Sequence, residues 1–307
     1  MFERPLDVSF KIADKLKGIP IGVVVVSHNG RSEYCLKAVT SILAQTYQDI
    51  NIYIVFDGPC TDGTFDLIKM HLDTLMRDKE HIDRIRPIKY IEYKEKVGKA
   101  SILRNEGIRH VVKDGIPLVN FLDSDNLFLR DHIKTLYAII LEGYDLVYAN
   151  RNYISAIPNI DFDLGYVKQM PFMGKMDVSY GRILRGDLAK VNFIDSSDLM
   201  ITTRSLVEIG GWNEGMEKSR FPDHDLVYRY WKANYPIRCF EFPIGPNKIE
   251  QPPLTSYLWH GNNLGEKDKK NIDEEKFRTE YLPNLEIKQH WLDDCISLLP
   301  KYGGLNA

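Results

Sequence analysis

Hydrophobic positions along the chain fall into short continuous runs separated by amphipathic stretches, which predicts strands and helices in alternation. The first strong run, Ile21-Gly22-Val23-Val24-Val25-Val26, is apolar throughout, as strands covered on both faces are. It stops at the turn Ser27-His28-Asn29-Gly30, after which Leu36, Val39, Ile42 and Leu43 recur on one helical face. A second strand over residues 51–56 ends in a loop rich in Gly, Pro and Asp, where Asp62 or Thr64 can start the next helix. A basic, polar stretch leads to a short strand over residues 89–93. Lys96-Val97-Gly98-Lys99-Ala100 then enters a helix carrying Arg104, Asn105 and Gly107. The run from Pro117 to Leu122 predicts another buried strand, ending in Asp123-Ser124-Asp125-Asn126; a helix over residues 131–142 and a strand over residues 145–148 follow. Such alternation predicts an α/β fold with a mainly parallel central sheet flanked by helices.

Beyond this point the pattern changes. Over residues 151–190 the periodicity fades, and Pro158, Gly165, Pro171, Gly174 and Gly181 mix with aromatics such as Tyr153, Phe162, Tyr166, Phe172 and Tyr180. A loop of that length inside a compact domain is usually functional. Order resumes over residues 198–203, followed by a short helix to Ile209 and the turn Gly210-Gly211-Trp212-Asn213. A helix then runs from Asp223-His224-Asp225 through Leu226, Tyr230 and Trp231 until Pro236 ends it. A strand over residues 255–259 leads into His260, and a charged run over residues 266–275 precedes a last amphipathic helix over residues 284–299. That helix carries Ile287, Trp291, Ile296 and Leu299 on its apolar side and is expected to dock on its own domain; a second subunit or a membrane surface are the other partners for such a face.

Composition narrows the classes. The 307 residues are 44% hydrophobic and 27% charged, ordinary for a globular chain. Forty basic against 43 acidic residues give a formal charge of −3, so there is no global electrostatic case for nucleic acid. No apolar run is long enough to span a bilayer, and the charged amino terminus lacks a secretory apolar segment. Cys35, Cys60, Cys239 and Cys295 show neither zinc-site spacing nor the density of a disulfide scaffold, which fits a cytoplasmic protein.

The chemistry concentrates at Asp123 and Asp125. Two acids one residue apart, at the carboxyl end of a strand in an open α/β sheet, face the crevice where ligands bind. They repel unless a cation lies beside them, and hard oxygen donors suit Mg²⁺ or Mn²⁺ shared with a diphosphate. The plain alternative is an acidic turn capping the next helix.

The order of these signals resembles glycosyltransferase family 2, the inverting nucleotide-sugar transferases of the GT-A fold. Ser41-Ile42-Leu43-Ala44-Gln45-Thr46-Tyr47 resembles the family's helix end, and Asp57-Gly58 with Thr61-Asp62-Gly63-Thr64 its acidic loop. Arg104-Asn105 with Gly107, Asp123-Ser124-Asp125, Gly210-Gly211-Trp212-Asn213 and Asp223-His224-Asp225-Leu226 complete the series. Phe56 stands where an acid is usual, Cys60 is an insertion, Pro222 replaces a Glu, and Ser27-His28 replaces the common Thr-Tyr.

The resemblance implies one GT-A domain over residues 1–263, with a nucleotide-binding half at about 20–126 and an acceptor half at about 127–263, followed by a helical extension over residues 264–307. It implies a nucleotide-sugar donor, UDP-linked by preference, and a glycan, lipid-linked or protein-linked hydroxyl as acceptor. Asp223 is the implied general base, ionised by its position at a helix start. Ser27, Asn29, Asp57, Lys99, Arg104, Asp123 and Ser124 are the implied donor-side residues, with Asp57 accepting from a base N–H or else capping a turn. Asp125 and His260 are implied to hold Mn²⁺ or Mg²⁺; Trp212 and His224 are the acceptor-side candidates. Residues 151–190 would then cover the acceptor side. A sugar-1-phosphate nucleotidyltransferase would need a Gly-rich basic loop after the first strand, where Ser27-His28-Asn29-Gly30-Arg31-Ser32 fits poorly. An inactive nucleotide-sugar-binding module would lack the metal or base acids, which are all present.

Overall fold

The computed structural model describes residues 18–77, 88–155, 194–215, 222–240, 242–245, 248–250, 253–259 and 295. The lead-in, most of the 151–190 segment, His260, the charged run and all of the last helix except Cys295 lie outside the described residues.

The apolar runs form the centre of one sheet. Strands β1 (Ile21–His28), β2 (Ile50–Asp57), β3 (Ile88–Glu92) and β4 (Leu118–Asp123) are joined by helices α1 (Ser32–Leu43), α2 (Thr64–Met76) and α3 (Ala100–Lys113). After β4 come β5 (Asn126–Phe128), α4 (His132–Ile140), β6 (Leu146–Tyr148) and β7 (Asn150–Ser155). A 3-10 turn (Ser196–Asp198) leads into β8 (Leu199–Thr202), α5 (Thr203–Glu208), α6 (Pro222–Lys232) and β9 (Ile237–Cys239). The last strands are β10 (Phe242–Gly245), β11 (Lys248–Glu250) and β12 (Pro253–Trp259). Among the described residues the main sheet has seven strands in the order β3-β2-β1-β4-β8-β6-β9.

The parallel pairing of β3, β2, β1 and β4, in that order, agrees with the expected mainly parallel sheet. β8 departs from it by running antiparallel to both β4 and β6. β5, β7 and β9 to β11 were not anticipated. Three- to six-residue strands are too short to show a period, and β5 and β7 find their partner only in the distant β12.

Alternation along β1 divides the core. Ile21, Val23 and Val25 pack with Val39 and Ile42 of α1, Ile68 and Leu72 of α2 and Leu136 of α4. Val24 and Val26 face the other side, with Leu103, Ile108 and Val111 of α3, Leu206 of α5 and Leu226 and Tyr230 of α6. Phe56 is fully buried against Phe65, with ring centroids 5.1 Å apart, so apolar packing has taken the position where the family usually has an acid.

The absence of a side chain at Gly107 sets how closely α3 lies on β1. A Cβ there would stand 2.3 Å from Val24 Cγ1. Gly107→Ala is therefore expected to lower the unfolding free energy by about 1–3 kcal/mol through overpacking, despite alanine's better helix propensity. Urea denaturation is the measurement; an unchanged or higher midpoint would contradict this close approach.

Candidate functional site

Strand register brings the expected acids to one edge. His28 lies opposite Asp57, and Val26 opposite Asp123, so β1, β2 and β4 end together where ligands bind in open α/β sheets. Because β8 is antiparallel, the chain entering it arrives at this same edge and delivers Asp195, Ser196, Ser197 and Asp198 beside Asp123. A capping box at Asp195 and Asp198 fixes that turn.

Arg104 of α3 joins these parts. It is buried, and its Nη2 donates to Asp123 Oδ1 and to Ser196 Oγ, both at 2.7 Å. Its Nη1 lies 3.8 Å from Asp223 Oδ1, on the first turn of α6. The guanidinium rests 4.5 Å over the Trp212 ring, and that ring meets Phe121 edge-on at 5.1 Å. One cation thus lies between the β4 carboxylate and the α6 carboxylate. Asp223 Oδ1 is buried and accepts no hydrogen bond among the described residues.

Two clamps hold this arrangement. Asn105 donates to the Trp212 carbonyl at 2.7 Å and accepts from its N–H at 2.9 Å. Arg229 binds Asp225 Oδ2 at 2.7 Å and the carbonyls of Ile209 and Gly211, also at 2.7 Å. The turn that carries Trp212 is therefore pinned from both α3 and α6.

The rest of the rim is equally ordered. Asp57 accepts from the Val97 and Gly98 N–H groups at 2.6 and 3.0 Å, tying the end of β2 to the loop before α3. Asn29 donates to Pro59 O and Thr61 Oγ1, and Gly30 N–H donates to Asp62 Oδ2 at 2.6 Å. Lys99 reaches the Glu214 carbonyl at 3.2 Å, and the Ser124 N–H continues the β1 ladder to Val26 O. Ser27 is buried, its hydroxyl facing the Cys35 thiol. Asp125 pairs with Arg31 at 3.4 Å, and Arg151 bridges Asp195 and Asp198 at 3.0 Å each.

Burial dominates the electrostatics. It raises the Asp223 carboxyl well above the ordinary range; Arg104 opposes the shift, while Asp195 and Asp123 add to it. Asp123 is raised for the same first reason, again against Arg104 and with help from Asp195 and Asp125. Asp198 is pushed up to about 7 by burial, against the pull of Arg151. Burial works against the charged form of Arg104, but Asp123 and Asp223 outweigh it and hold the guanidinium charged.

A model of the family described as Glycosyl transferase family 2 matches residues 22–180, more than half of the 307-residue chain. The chain belongs to glycosyltransferase family 2. GlyG, a glycosyltransferase of Streptococcus pneumoniae serotype 4, is 29% identical over 215 residues, covering 69% of this chain and 64% of its own length. GlyA of the same organism is 34% identical over 135 residues, 44% of this chain and 17% of its own. A Rickettsia conorii glycosyltransferase is 25% identical over 218 residues, covering 69% of this chain and 31% of its own length. The chain thus spans less than two thirds of the length of these relatives. Among solved structures, S. aureus TarS 1–349 in complex with UDP-GlcNAc superposes with a TM-score of 0.58 at 13% identity, covering 91% of this chain and 71% of that one. The mannosyltransferase PcManGT of Pyrobaculum calidifontis, in complex with GDP-Man and Mn²⁺, gives 0.54 at 14% identity, covering 97% and 82%. The fold of this family member is GT-A.

Three expectations need correction. Trp212 is fully buried and supports Arg104 from beneath, so its ring offers no face to an acceptor sugar. His224 is also buried, on the Asp225 side of α6, and is not presented to an acceptor. Asp223 was expected to stay readily ionised through the helix dipole, but burial outweighs that dipole and makes it a more basic carboxylate. Asp195, Ser196, Arg31 and Arg151 went unnoticed in the sequence. The Asp195-Ser196-Ser197-Asp198 run is a readable cap signal, but nothing local ties it to β4.

The donor set at β4 fits a divalent ion that shares its coordination with phosphate. Asp123 and Asp125 offer hard oxygens, with side chains 28% and 19% exposed toward the crevice. Among the described residues no group of three or more His, Cys, Asp or Glu forms a cage, and Mg²⁺-type sites commonly use one or two carboxylates plus substrate oxygens.

The two acids of α6 should separate in stability. Asp225→Ala leaves Arg229 buried without its carboxylate and is expected to cost about 3–5 kcal/mol in urea denaturation. Asp223→Asn removes a desolvated carboxyl whose folded pKa is raised. The stability of wild type relative to this variant is therefore greatest below about pH 4 and falls as pH rises through the raised value. A smaller loss for Asp225→Ala than for Asp223→Asn at pH 7 would reverse these roles.

Proposed function

We propose that the chain is an inverting, metal-dependent transferase that moves a sugar from a nucleotide sugar to a hydroxyl of a glycan, lipid-linked or protein-linked acceptor. The observation that carries this reading is the buried Asp223 Oδ1, without a hydrogen bond among the described residues and 3.8 Å from the guanidinium that also holds Asp123. A basic carboxylate whose Oδ1 accepts no hydrogen bond among the described residues, set beside the donor-side acid, suits proton abstraction from an attacking hydroxyl.

In this mechanism the acceptor hydroxyl gives its proton to Asp223. Its oxygen bonds to the anomeric carbon as the bond from that carbon to the diphosphate breaks. The electron pair leaves with the diphosphate, and attack from the opposite face inverts the centre. A divalent ion held by Asp125, with Asp123 beside it and His260 as a further candidate, would supply Lewis-acid stabilisation of the leaving diphosphate. Arg104 keeps Asp123 and Asp223 at fixed separation. Asp57, whose carboxylate keeps lone pairs beyond its two backbone contacts, can accept from a nucleobase N–H. Asn29 and Lys99 order the loops on either side of it, Ser27 packs beneath the end of β1, and Ser124 spaces the two acids.

TarS was crystallised with UDP-GlcNAc and PcManGT with GDP-Man and Mn²⁺, which supports a nucleotide-sugar donor and a divalent ion. A UDP-sugar remains the preferred donor. Among the described residues no helix is long and apolar enough to cross a membrane, and a cytoplasmic site of action, with or without peripheral membrane contact, is part of the proposal.

Asp223→Asn is expected to bind nucleotide with Mn²⁺ about as well as wild type, yet to transfer sugar about 10²-fold more slowly or worse. Asp125→Ala should instead lose metal-dependent nucleotide binding. Calorimetry beside a transfer assay reads both; near-normal turnover by Asp223→Asn would end its assignment as base. The pH dependence follows from burial. The base works only when deprotonated, so kcat/KM should climb with pH through a value above the ordinary carboxylate pKa of about 4. A profile already flat from pH 5 upward would contradict a buried base.

A further inference from the structure

Arg31 is placed where local rules disfavour it. It occupies the N-cap of the 12-residue helix α1, a position that prefers Ser, Thr, Asp or Asn, and its side chain makes no cap hydrogen bond. A cation there also opposes the helix dipole. Such a departure from local preference tends to mark a functional position.

The side chain is held toward the crevice. Its Nη1 lies 3.4 Å from Asp125 Oδ2, its Nε contacts His28 Nε2 at 3.3 Å, and the guanidinium lies 5.4 Å over the Tyr34 ring. The two partners are only 14% and 19% exposed, unlike the solvated pairs Lys37–Glu33 (57% and 76%) and Arg204–Glu208 (68% and 34%). The loop beneath Arg31 is fixed as well, with Gly30 N–H on Asp62 and Thr64 and Asn29 on Pro59 and Thr61. This is a rigidly presented planar cation at the rim of the carboxylate site, and guanidinium forks match phosphate oxygens.

We propose that Arg31 is a donor-recognition residue, whose guanidinium holds Asp125 and takes a diphosphate oxygen when a nucleotide sugar binds. This rests on the nucleotide-sugar reading above. A divalent ion at Asp125 and the Arg31 guanidinium are like charges competing for one carboxylate. An incoming diphosphate would offer the guanidinium a partner of its own, leaving Asp125 to hold the ion. Arg31 thereby recognises the diphosphate rather than the base or the sugar.

The test is nucleotide binding, not turnover. UDP and GDP, and the nucleosides uridine and guanosine, are titrated with Mn²⁺ into wild type, Arg31→Gln, Arg31→Lys and Asp125→Ala, with thermal melting to confirm folding. Arg31→Gln should weaken the preferred diphosphate by about tenfold or more, the usual worth of a charge-assisted contact, and leave the matching nucleoside unchanged. Arg31→Lys should recover part of the loss. Unchanged diphosphate affinity in Arg31→Gln overturns the proposal, and so does an equal loss for nucleoside and diphosphate, which would make Arg31 a loop-shaping residue. If Asp125→Ala abolishes metal-dependent binding while Arg31→Gln does nothing, only the Arg31 assignment falls. If neither UDP nor GDP binds wild type, the nucleotide-sugar reading falls with it.

Discussion

A guanidinium buried between a strand end and a helix start is the constraint on which the site depends. An isolated charge inside a protein is strongly disfavoured, and it persists only with hydrogen-bonded partners of opposite charge. Arg104 meets this with Asp123 and Ser196 at 2.7 Å and with the Trp212 ring face at 4.5 Å. Each partner comes from a different element: Asp123 from β4, Ser196 from the turn before β8, and Trp212 from the turn after α5. Satisfying one charge therefore fixes three segments of chain that are far apart in sequence. The fourth neighbour, Asp223 with its Oδ1 at 3.8 Å, feels the charge while that oxygen accepts no hydrogen bond among the described residues.

The scaffold around this cation is built from backbone contacts, which makes it stiff. Asn105 uses both ends of its amide on the Trp212 peptide groups. Arg229 spans two further carbonyls of the same turn while paired with Asp225. Neighbouring motif residues thus divide the labour. In α3, Arg104 faces Asp123 and Asp223 while Asn105 holds the turn and Gly107 admits the close approach of β1. In α6, Asp223 faces the crevice while Asp225 is locked behind it.

Much of this was legible in the chain and some was not, for reasons that differ by residue. The β1 and β4 runs announce buried strands because both faces are covered, and the paired acids after β4 follow from the place where strands end. The motif series singled out Asp57, Arg104, Asp123 and Asp223, and the strand register brings the first and third of these to one edge. Trp212 misled because an aromatic beside a turn looks the same whether it faces a sugar or a guanidinium. Asp195 and Ser196 were missed because their role depends on the antiparallel direction of β8, and strand direction leaves no mark on local periodicity. Arg31 was readable only as a helix start with the wrong sign of charge.

Charge balance gives the site its remaining logic. Among the described residues, the carboxylates of Asp123, Asp125, Asp195, Asp198 and Asp223 face the guanidiniums of Arg31, Arg104 and Arg151. The acids outnumber the cations, and burial adds to the strain. Burial raises the carboxyls of Asp123, Asp198 and Asp223, and the neighbouring acids add to each shift. A diphosphate entering such a crevice would deepen the deficit of positive charge. A divalent ion at Asp125 would reverse it, drawing the phosphate oxygens and the carboxylates to the same centre. It would also leave Asp223 apart from that ion, with Arg104 between it and Asp123. That separation is what a base needs, because a carboxylate coordinated to a metal loses the basicity with which it accepts a proton.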